Sequence, residues 1–212
     1  MVLVLFGLPV LIRAQKAQHP SEVPAAGSWL ILPEGSSGGI ITAQTTEAEL
    51  IRLYGKQNVV PQDVDLGEGE TEPGSALFPS DPIRRVEILW KDAGGKRLPK
   101  RVQTSGEKTL WKTVHGISLG SSLKRLEQLN RKPFFLAGFG WDYSGTVLSW
   151  DQGALEQELD HVGRVILRLQ PANDQSLRQD DRAVLGDRQF SSGHPAMQIL
   201  NPTIYQIIWL FP

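Results

Sequence analysis

The carboxy-terminal segment Thr203 to Phe211 constrains the fold more than any other part of this chain. Tyr205, Ile207, Trp209 and Phe211 alternate with Ile204, Ile208 and Leu210, so an extended chain here is apolar on both faces. Such a strand is stable where layers cover it on both sides, which places it at the centre of a sheet. The alternative is an exposed edge that pairs with a partner, an arrangement proteins avoid because bare edges aggregate. The 212 residues, 40% of them hydrophobic, suffice for the core this requires, since a chain of this size buries roughly 70% of the surface it exposes when unfolded. With 21 Gly and 14 Pro the chain is rich in turn formers, which favours many strands joined by turns.

Two stretches 76 residues apart, beginning at Ile41 and Ile117, share a pattern. Each starts with a short apolar segment. Each then places two hydroxyl residues, Thr45-Thr46 and Ser121-Ser122, where a helix N-cap belongs. Thr46 with Glu49 forms a capping box. Leu50 and Leu53 correspond to Leu126 and Leu129, one apolar face per helix. Gly55 and Asn130 supply residues tolerant of a left-handed stop. The pattern predicts helices over residues 46–54 and 122–129.

Strands are expected after each helix. In the first half they are Ser75 to Phe78 and Arg85 to Trp90, with Val102 and Leu110 to Val114 continuing the sheet. In the second half they are Phe134 to Phe139, Thr146 to Trp150 and Val162 to Leu169. Val86, Ile88 and Trp90 alternate with Glu87, and Val165, Leu167 and Leu169 oppose Arg164 and Arg168. A short helix follows at His194 to Asn201, with Pro195 in its first turn. A helix cannot cover itself. The expected fold is therefore α+β, with two helix-plus-antiparallel-strand repeats, residues 38–114 and 115–170, forming one continuous sheet with helices on one face. Residues 171–212 form a carboxy-terminal extension of the same compact unit, 28–212.

The amino terminus carries the apolar run Val2 to Ile12, eleven residues long. That is too short for a membrane-spanning helix, which takes about 20 residues. It fits the apolar part of a secretory signal peptide, with Ala14 at the cleavage site and no basic residue ahead of the run. Residues 1–14 are expected to be that peptide and residues 15–27 a polar leader, which makes the protein exported, periplasmic or secreted. Cysteine is absent, which excludes a disulfide framework, a thiolate metal site and the cysteine-linked lipid anchor of bacterial lipoproteins.

The two halves, each an apolar segment, a hydroxyl step, a Leu-rich helix and strands ending in Trp, resemble the tandem helix-plus-sheet repeats of the β-lactamase-inhibitor-like fold and of small outer-membrane-assembly lipoproteins. The wording of Thr45 to Leu50, Leu77 to Pro82, Ile88 to Asp92 and Gly138 to Tyr143 is similar to a family of uncharacterised exported bacterial proteins. The resemblance spans about residues 38 to 170 and implies no catalytic residue. The missing cysteine departs from the lipoproteins, so membrane anchoring is not implied.

Chemistry-bearing motifs are few. His19, His115, His161 and His194 have no metal-ligand spacing, and no GxSxG elbow, phosphate loop or GxGxxG fingerprint occurs. The acidic run Asp63 to Glu72 fails the EF-hand pattern, because Gly67 stands fifth and Gly74 twelfth, and it reads as a solvated loop. No metal and no cofactor is expected. Between Arg84 and Lys132 there are thirteen basic and four acidic residues. If Arg84, Arg85, Lys96, Arg97, Lys100 and Arg101 shared a face, it would suit an anionic surface such as lipid headgroups. The overall charge of -1 argues against nucleic acid as a partner. The one candidate binding stretch is Phe139-Gly140-Trp141-Asp142-Tyr143. Extended, it would project Phe139, Trp141 and Tyr143 to one side next to the Asp142 carboxylate, a pattern suited to a glycan or peptide. Core packing is the plainer account of the same aromatics.

These features point to a non-enzymatic exported binding or envelope-accessory protein, with an envelope protein or a glycan as partner. Two alternatives stay open: a hydrolase using carboxylates such as Asp81, Asp142 and Asp151, or a protein inhibitor of an envelope enzyme.

Overall fold

The computed structural model describes residues 29–32, 39–160, 165–171 and 179–212. The expected signal peptide and leader lie outside the described residues. Strands β1 (Ile31–Leu32) and β2 (Ile41–Thr42) pair in parallel. Helix α1 (Glu47–Tyr54) follows, then a four-stranded antiparallel meander: β3 (Val59–Gly67), β4 (Glu70–Leu77), β5 (Val86–Asp92) and β6 (Arg97–Ser105). The second half runs α2 (Leu123–Asn130), β7 (Phe135–Ala137), β8 (Val147–Ser149), α3 (Ala154–Asp160), β9 (Val165–Gln170), β10 (Gln189–Ser191), α4 (Pro195–Leu200) and β11 (Thr203–Leu210).

The fold is α+β, but the strands do not form one continuous sheet. They fall into a pair β1-β2, a three-stranded sheet β10-β7-β8 and a six-stranded sheet β3-β4-β5-β6-β11-β9. The two expected halves diverge after their helices for a local reason. β7 has only three residues, and its free edge is taken by β10, which arrives from the carboxy-terminal part of the chain. β9 is thereby released to pair with β11. Leu110 to Val114 is not a strand; its one ladder contact is a bridge from Lys112 to Leu30.

Helix starts follow the hydroxyl caps. Thr46 Oγ1 accepts from the Glu49 amide and Ser122 Oγ from the Arg125 amide, each at 3.2 Å. α1 closes on Gly55 as expected, whereas α2 closes on Arg131 in the left-handed region (φ 64°). Asn130 is spared for another task. It is buried, donates to the carbonyls of Lys132 (3.1 Å) and Trp150 (2.9 Å), and accepts from the Leu155 amide (3.2 Å). One side chain thus ties the end of α2 to the start of α3. The amino end of α1 is fastened through Glu47, whose Oε1 accepts from Ser75 Oγ (2.6 Å) and Lys96 Nζ (2.8 Å), while Ser75 Oγ accepts from the Trp90 indole.

The main core lies on one face of the six-stranded sheet. Leu77, Val86, Ile88, Val102, Ile207, Trp209, Leu167 and Leu169 face it, with Leu50, Leu123, Leu126, Trp29 and Trp111 among its other members. β11 is central, bonded to β6 on one side and β9 on the other, as its two apolar faces require. Five of the six tryptophans are buried.

Replacing Asn130 by Ala leaves two carbonyls and one amide without their partner, at about 1–3 kcal/mol for each group that stays dry. We expect Asn130→Ala to lower the urea midpoint by an amount equivalent to about 3 kcal/mol at unchanged slope. A shift below about 1 kcal/mol, which is what one ordinary exposed hydrogen bond contributes, would show that the site hydrates freely.

Candidate functional site

The second face of the six-stranded sheet carries the most unusual chemistry among the described residues. Register places Glu87, Gln103, Ile208 and Ile166 in one row across β5, β6, β11 and β9. Leu89, Arg101 and Leu210 form the next row on one side, and Ser105, Gln206 and Arg168 the next on the other.

This face is roofed by the first hairpin of its own sheet. β4 pairs with β5 only over Ser75–Leu77, and beyond that point β3 and β4 continue as a free two-stranded arm. The departure falls at Pro73-Gly74. Pro73 has no N–H to donate to a ladder. Gly74 lies so close to the neighbouring strand that an added Cβ would stand 2.4 Å from the Ile88 carbonyl oxygen and 2.8 Å from Val64 Cγ2. The arm therefore bends where its sequence permits a bend. Its far end crosses the face: the Asp65 carbonyl accepts from Gln103 Nε2 at 3.0 Å, although β3 and β6 are three strands apart and a flat sheet would separate them by about 14 Å. The turn Gly67-Glu68-Gly69, all at positive φ, then reaches the opposite edge. There Glu68 Oε1 accepts from the Tyr143 hydroxyl at 2.6 Å. Tyr143 stands beside β9 because Gly145 docks on it: Leu169 donates to the Gly145 carbonyl, and an added Cβ on Gly145 would sit 1.8 Å from the Leu169 oxygen. The sheet thus coils until its two edges meet through a tyrosine and a glutamate.

Under the arm, apolar and polar groups are mixed. Val64, Leu89 and Ile208 are buried. Gln103 is only 4% exposed, and its Nε2 also donates to Glu87 Oε2 at 2.9 Å. Five of the six buried side-chain polar atoms without a partner among the described residues are here: Arg101 Nε, Gln103 Oε1, Gln206 Oε1, Arg168 Nε and Thr146 Oγ1. Thr146 belongs to the group because it bridges to Arg168. The Arg168 guanidinium lies 5.5 Å from the centre of the Tyr143 ring. Burial, followed by the charge of Arg168, pulls the Arg101 guanidinium below its ordinary value, against the opposing pull of Asp65, Glu72 and Glu87. The hydrogen bond to Glu68, and then its charge, push the Tyr143 phenol above its ordinary value.

The aromatic stretch expected to bind is only partly what its sequence implied. It is not extended. Residues 140–145 form consecutive turns, with Ser144 bonded back to Trp141 and Thr146 to Tyr143. Phe139 consequently points into the core. Trp141 is half-buried, donates its indole N–H to the Gly138 carbonyl at 3.0 Å and meets the Tyr143 ring edge-on. Asp142 is exposed, and Tyr143 is 40% exposed.

Other expected features resolve differently. The acidic run is not a loop but the arm itself, a hairpin whose glycines supply its turn. Arg84, Arg85, Lys96 and Lys100 each pair with a carboxylate, so the basic cluster is largely neutralised. Asp81 is bound to Arg84 and Asp151 to Lys132. His19 and His161 lie outside the described residues, and His194 caps α4 through Nδ1. No group of three or more His, Asp or Glu able to hold a metal ion occurs among the described residues. No described helix is long and apolar enough to cross a membrane. An open groove of about 480 Å³ along α2 is lined by Lys124, Glu127, Gln128, Arg131, Lys132 and Pro133. Its Glu127 is already held by Ser192 and Gln198.

Sequence reasoning missed the arm and did not bring Arg101 and Arg168 to one face. The legible signal was Pro73-Gly74, a proline and a glycine that interrupt a strand. No family model matches the chain, and no curated protein or solved structure was found similar to it.

The Tyr143–Glu68 contact is checked by alkaline titration. A raised tyrosine value means that the contact is kept below about pH 10 and is lost as pH rises through the raised value. In the ultraviolet titration, Glu68→Gln is expected to bring one phenol back toward its ordinary value, and Tyr143→Phe to remove that same phenol. If Glu68→Gln leaves the titration unchanged, the contact does not hold in solution.

Proposed function

We propose that this is a non-enzymatic binding protein that works outside the cytoplasm, periplasmic or secreted, and that its binding site is the roofed face of the six-stranded sheet. One observation carries the reading. Buried polar atoms are almost always paired, because a dry unpaired group costs about 1–3 kcal/mol. Five such atoms on one face are what a surface shaped for another molecule presents. The rim fits this role: Tyr143 and Trp141 form an edge-to-face pair beside Arg168, so part of the aromatic stretch borders the face. Coiled sheets hold small ligands in the same way, at their concave side.

Export is supported by the apolar run before Ala14 and by the resemblance to exported bacterial proteins. The carboxylates that would serve a hydrolase sit in separate settings, with Asp81 on Arg84 and Asp151 on Lys132, which favours binding over catalysis.

Amide chemical-shift mapping of the isotope-labelled protein against soluble envelope extract tests the site. Shifts are expected to concentrate at Arg101, Gln103, Arg168, Gln206 and the arm residues 64–72. Shifts confined to the α2 groove, or none at all, would remove the assignment. Cell fractionation with amino-terminal sequencing tests export, for which a cytosolic form retaining Met1 is the adverse result.

A further inference from the structure

We propose that the roofed face takes a small hydroxylated ligand through an oxyanion, a carboxylate or a phosphate, held between Arg101 and Arg168, and that the ligand enters when the arm lifts at Pro73-Gly74. This rests on the binding reading above and names its ligand class.

The argument starts from charge. Arg84, Arg85, Lys96, Lys100 and Lys132 each have a carboxylate within 4 Å. Arg101 and Arg168 have no such ion pair among the described residues, and each also leaves its Nε buried without an acceptor. The Arg168 charge lies near enough to disfavour that of Arg101. Two partly buried guanidiniums on one face, with no acceptor on either Nε, are a costly arrangement. A planar or tetrahedral oxyanion relieves both costs, because guanidinium donors match its geometry in a charge-assisted pair. The carboxylates that Arg101 senses, Asp65, Glu72 and Glu87, do not fill this place. Glu72 is paired with Lys100, Glu87 with Arg85 and Gln103, and the Asp65 side chain accepts from the Gly67 amide.

The neighbouring orphans extend the ligand's description. Gln103 Oε1 and Gln206 Oε1 are acceptors in need of donors. Nε2 of Gln103 already serves two acceptors, so its amide orientation is set and its oxygen faces inward. Hydroxyl groups on the ligand supply what these oxygens lack. A simple sugar acid has this combination.

The arm must move because it covers the face: Val64 is buried and the Asp65 carbonyl is bonded to Gln103 Nε2. Beyond Pro73 the arm no longer pairs with β5, and what holds it over the face is three side-chain contacts, Gln103 to the Asp65 carbonyl, Lys100 to Glu72 and Tyr143 to Glu68.

The test uses the full chain and three probes: D-galacturonate, its neutral counterpart D-galactose, and inorganic phosphate. Binding is read by titration calorimetry and amide shifts. Galacturonate is expected to bind at least about tenfold more tightly than galactose, as the loss of one charge-assisted pair implies. Arg101→Met and Arg168→Met should each weaken galacturonate by about tenfold or more, with the Lys variants between. Both Met variants should unfold at about the parent's urea midpoint, since each Nε lacks an acceptor and Met keeps the aliphatic stem. Phosphate binding with the same arginine dependence, at galacturonate's expense, would assign the site to a phosphate-bearing ligand, and galacturonate alone to a carboxylate. Equal binding of galactose, failure of both anions at millimolar concentration, or Met variants that bind unchanged would overturn the oxyanion. If envelope extract still shifts the amides of this face, the binding reading stands and only its ligand class falls. The chain has no cysteine, so Glu68→Cys and Tyr143→Cys can be joined by a short bismaleimide that pins the arm. Pinning should block galacturonate, and unchanged affinity after pinning would rule out the arm as the entrance.

Discussion

The pairing of β11 on both sides is the interaction on which the rest of the molecule depends. β11 follows every other described strand in the chain, yet it joins β6, the end of the first meander, to β9 from the second half. Without it the six-stranded sheet would be a four-stranded meander and one stray strand. Its two faces serve different ends. Ile207 and Trp209 close the main core, while Gln206 and Ile208 lie on the roofed face. One strand therefore supplies both the stability of the sheet and part of the floor of the site, so a face with unpaired polar groups is backed by a mostly apolar one.

The roof follows from a second constraint. An edge strand that exposes a long unpaired ladder invites association. β3 is such an edge, and its sequence limits the hazard with Pro61, the acids Asp63 and Asp65, and a bend. By leaving β5 at Pro73-Gly74 the hairpin turns its far end inward and buries Val64, which with Leu89 closes around Gly74. The device that protects the edge also makes the enclosure.

How much of this was legible depends on whether the signal was local. The helices at Thr46 and Ser122 were readable because a cap, a Leu face and a stop all lie within ten residues. The apolar alternation of β5, β9 and β11 was readable for the same reason. The arm was not. Asp63 to Glu72 is acidic and interrupted by Gly67, Gly69, Pro73 and Gly74, a composition shared by loops and twisted hairpins. What distinguishes the two is Val64, a single apolar residue that is buried because the arm folds onto β6, whose Gln103 comes thirty-eight residues after Asp65. Sheet membership was equally hidden, because nothing within Phe135–Ala137 announces that its partner is Gln189–Ser191. Pairing is a long-range choice made by edges that happen to be free. The aromatic stretch misled for a different reason. Its alternation implied a strand, but Gly138, Gly140 and Gly145 let the chain turn, which sent Phe139 into the core and left only Trp141 and Tyr143 at the surface.

Charge shows the same divide between what composition reveals and what geometry decides. Thirteen basic residues lie between Arg84 and Lys132, and the central six would suit an anionic partner only if they shared a face. In the fold most of the central cluster is consumed by carboxylates from other elements: Glu47 on α1 takes Lys96, and Glu72 on the arm takes Lys100. A basic residue is informative only once its partners are known, and those partners lie 28 and 49 residues away in sequence. Arg101 and Arg168 would have passed unnoticed in any count, one as a member of a cluster and the other as the polar side of a strand. They stand out because the fold puts both on a face where every nearby carboxylate is already engaged. The chemistry of the site is thus the remainder left after the structural ion pairs have been made.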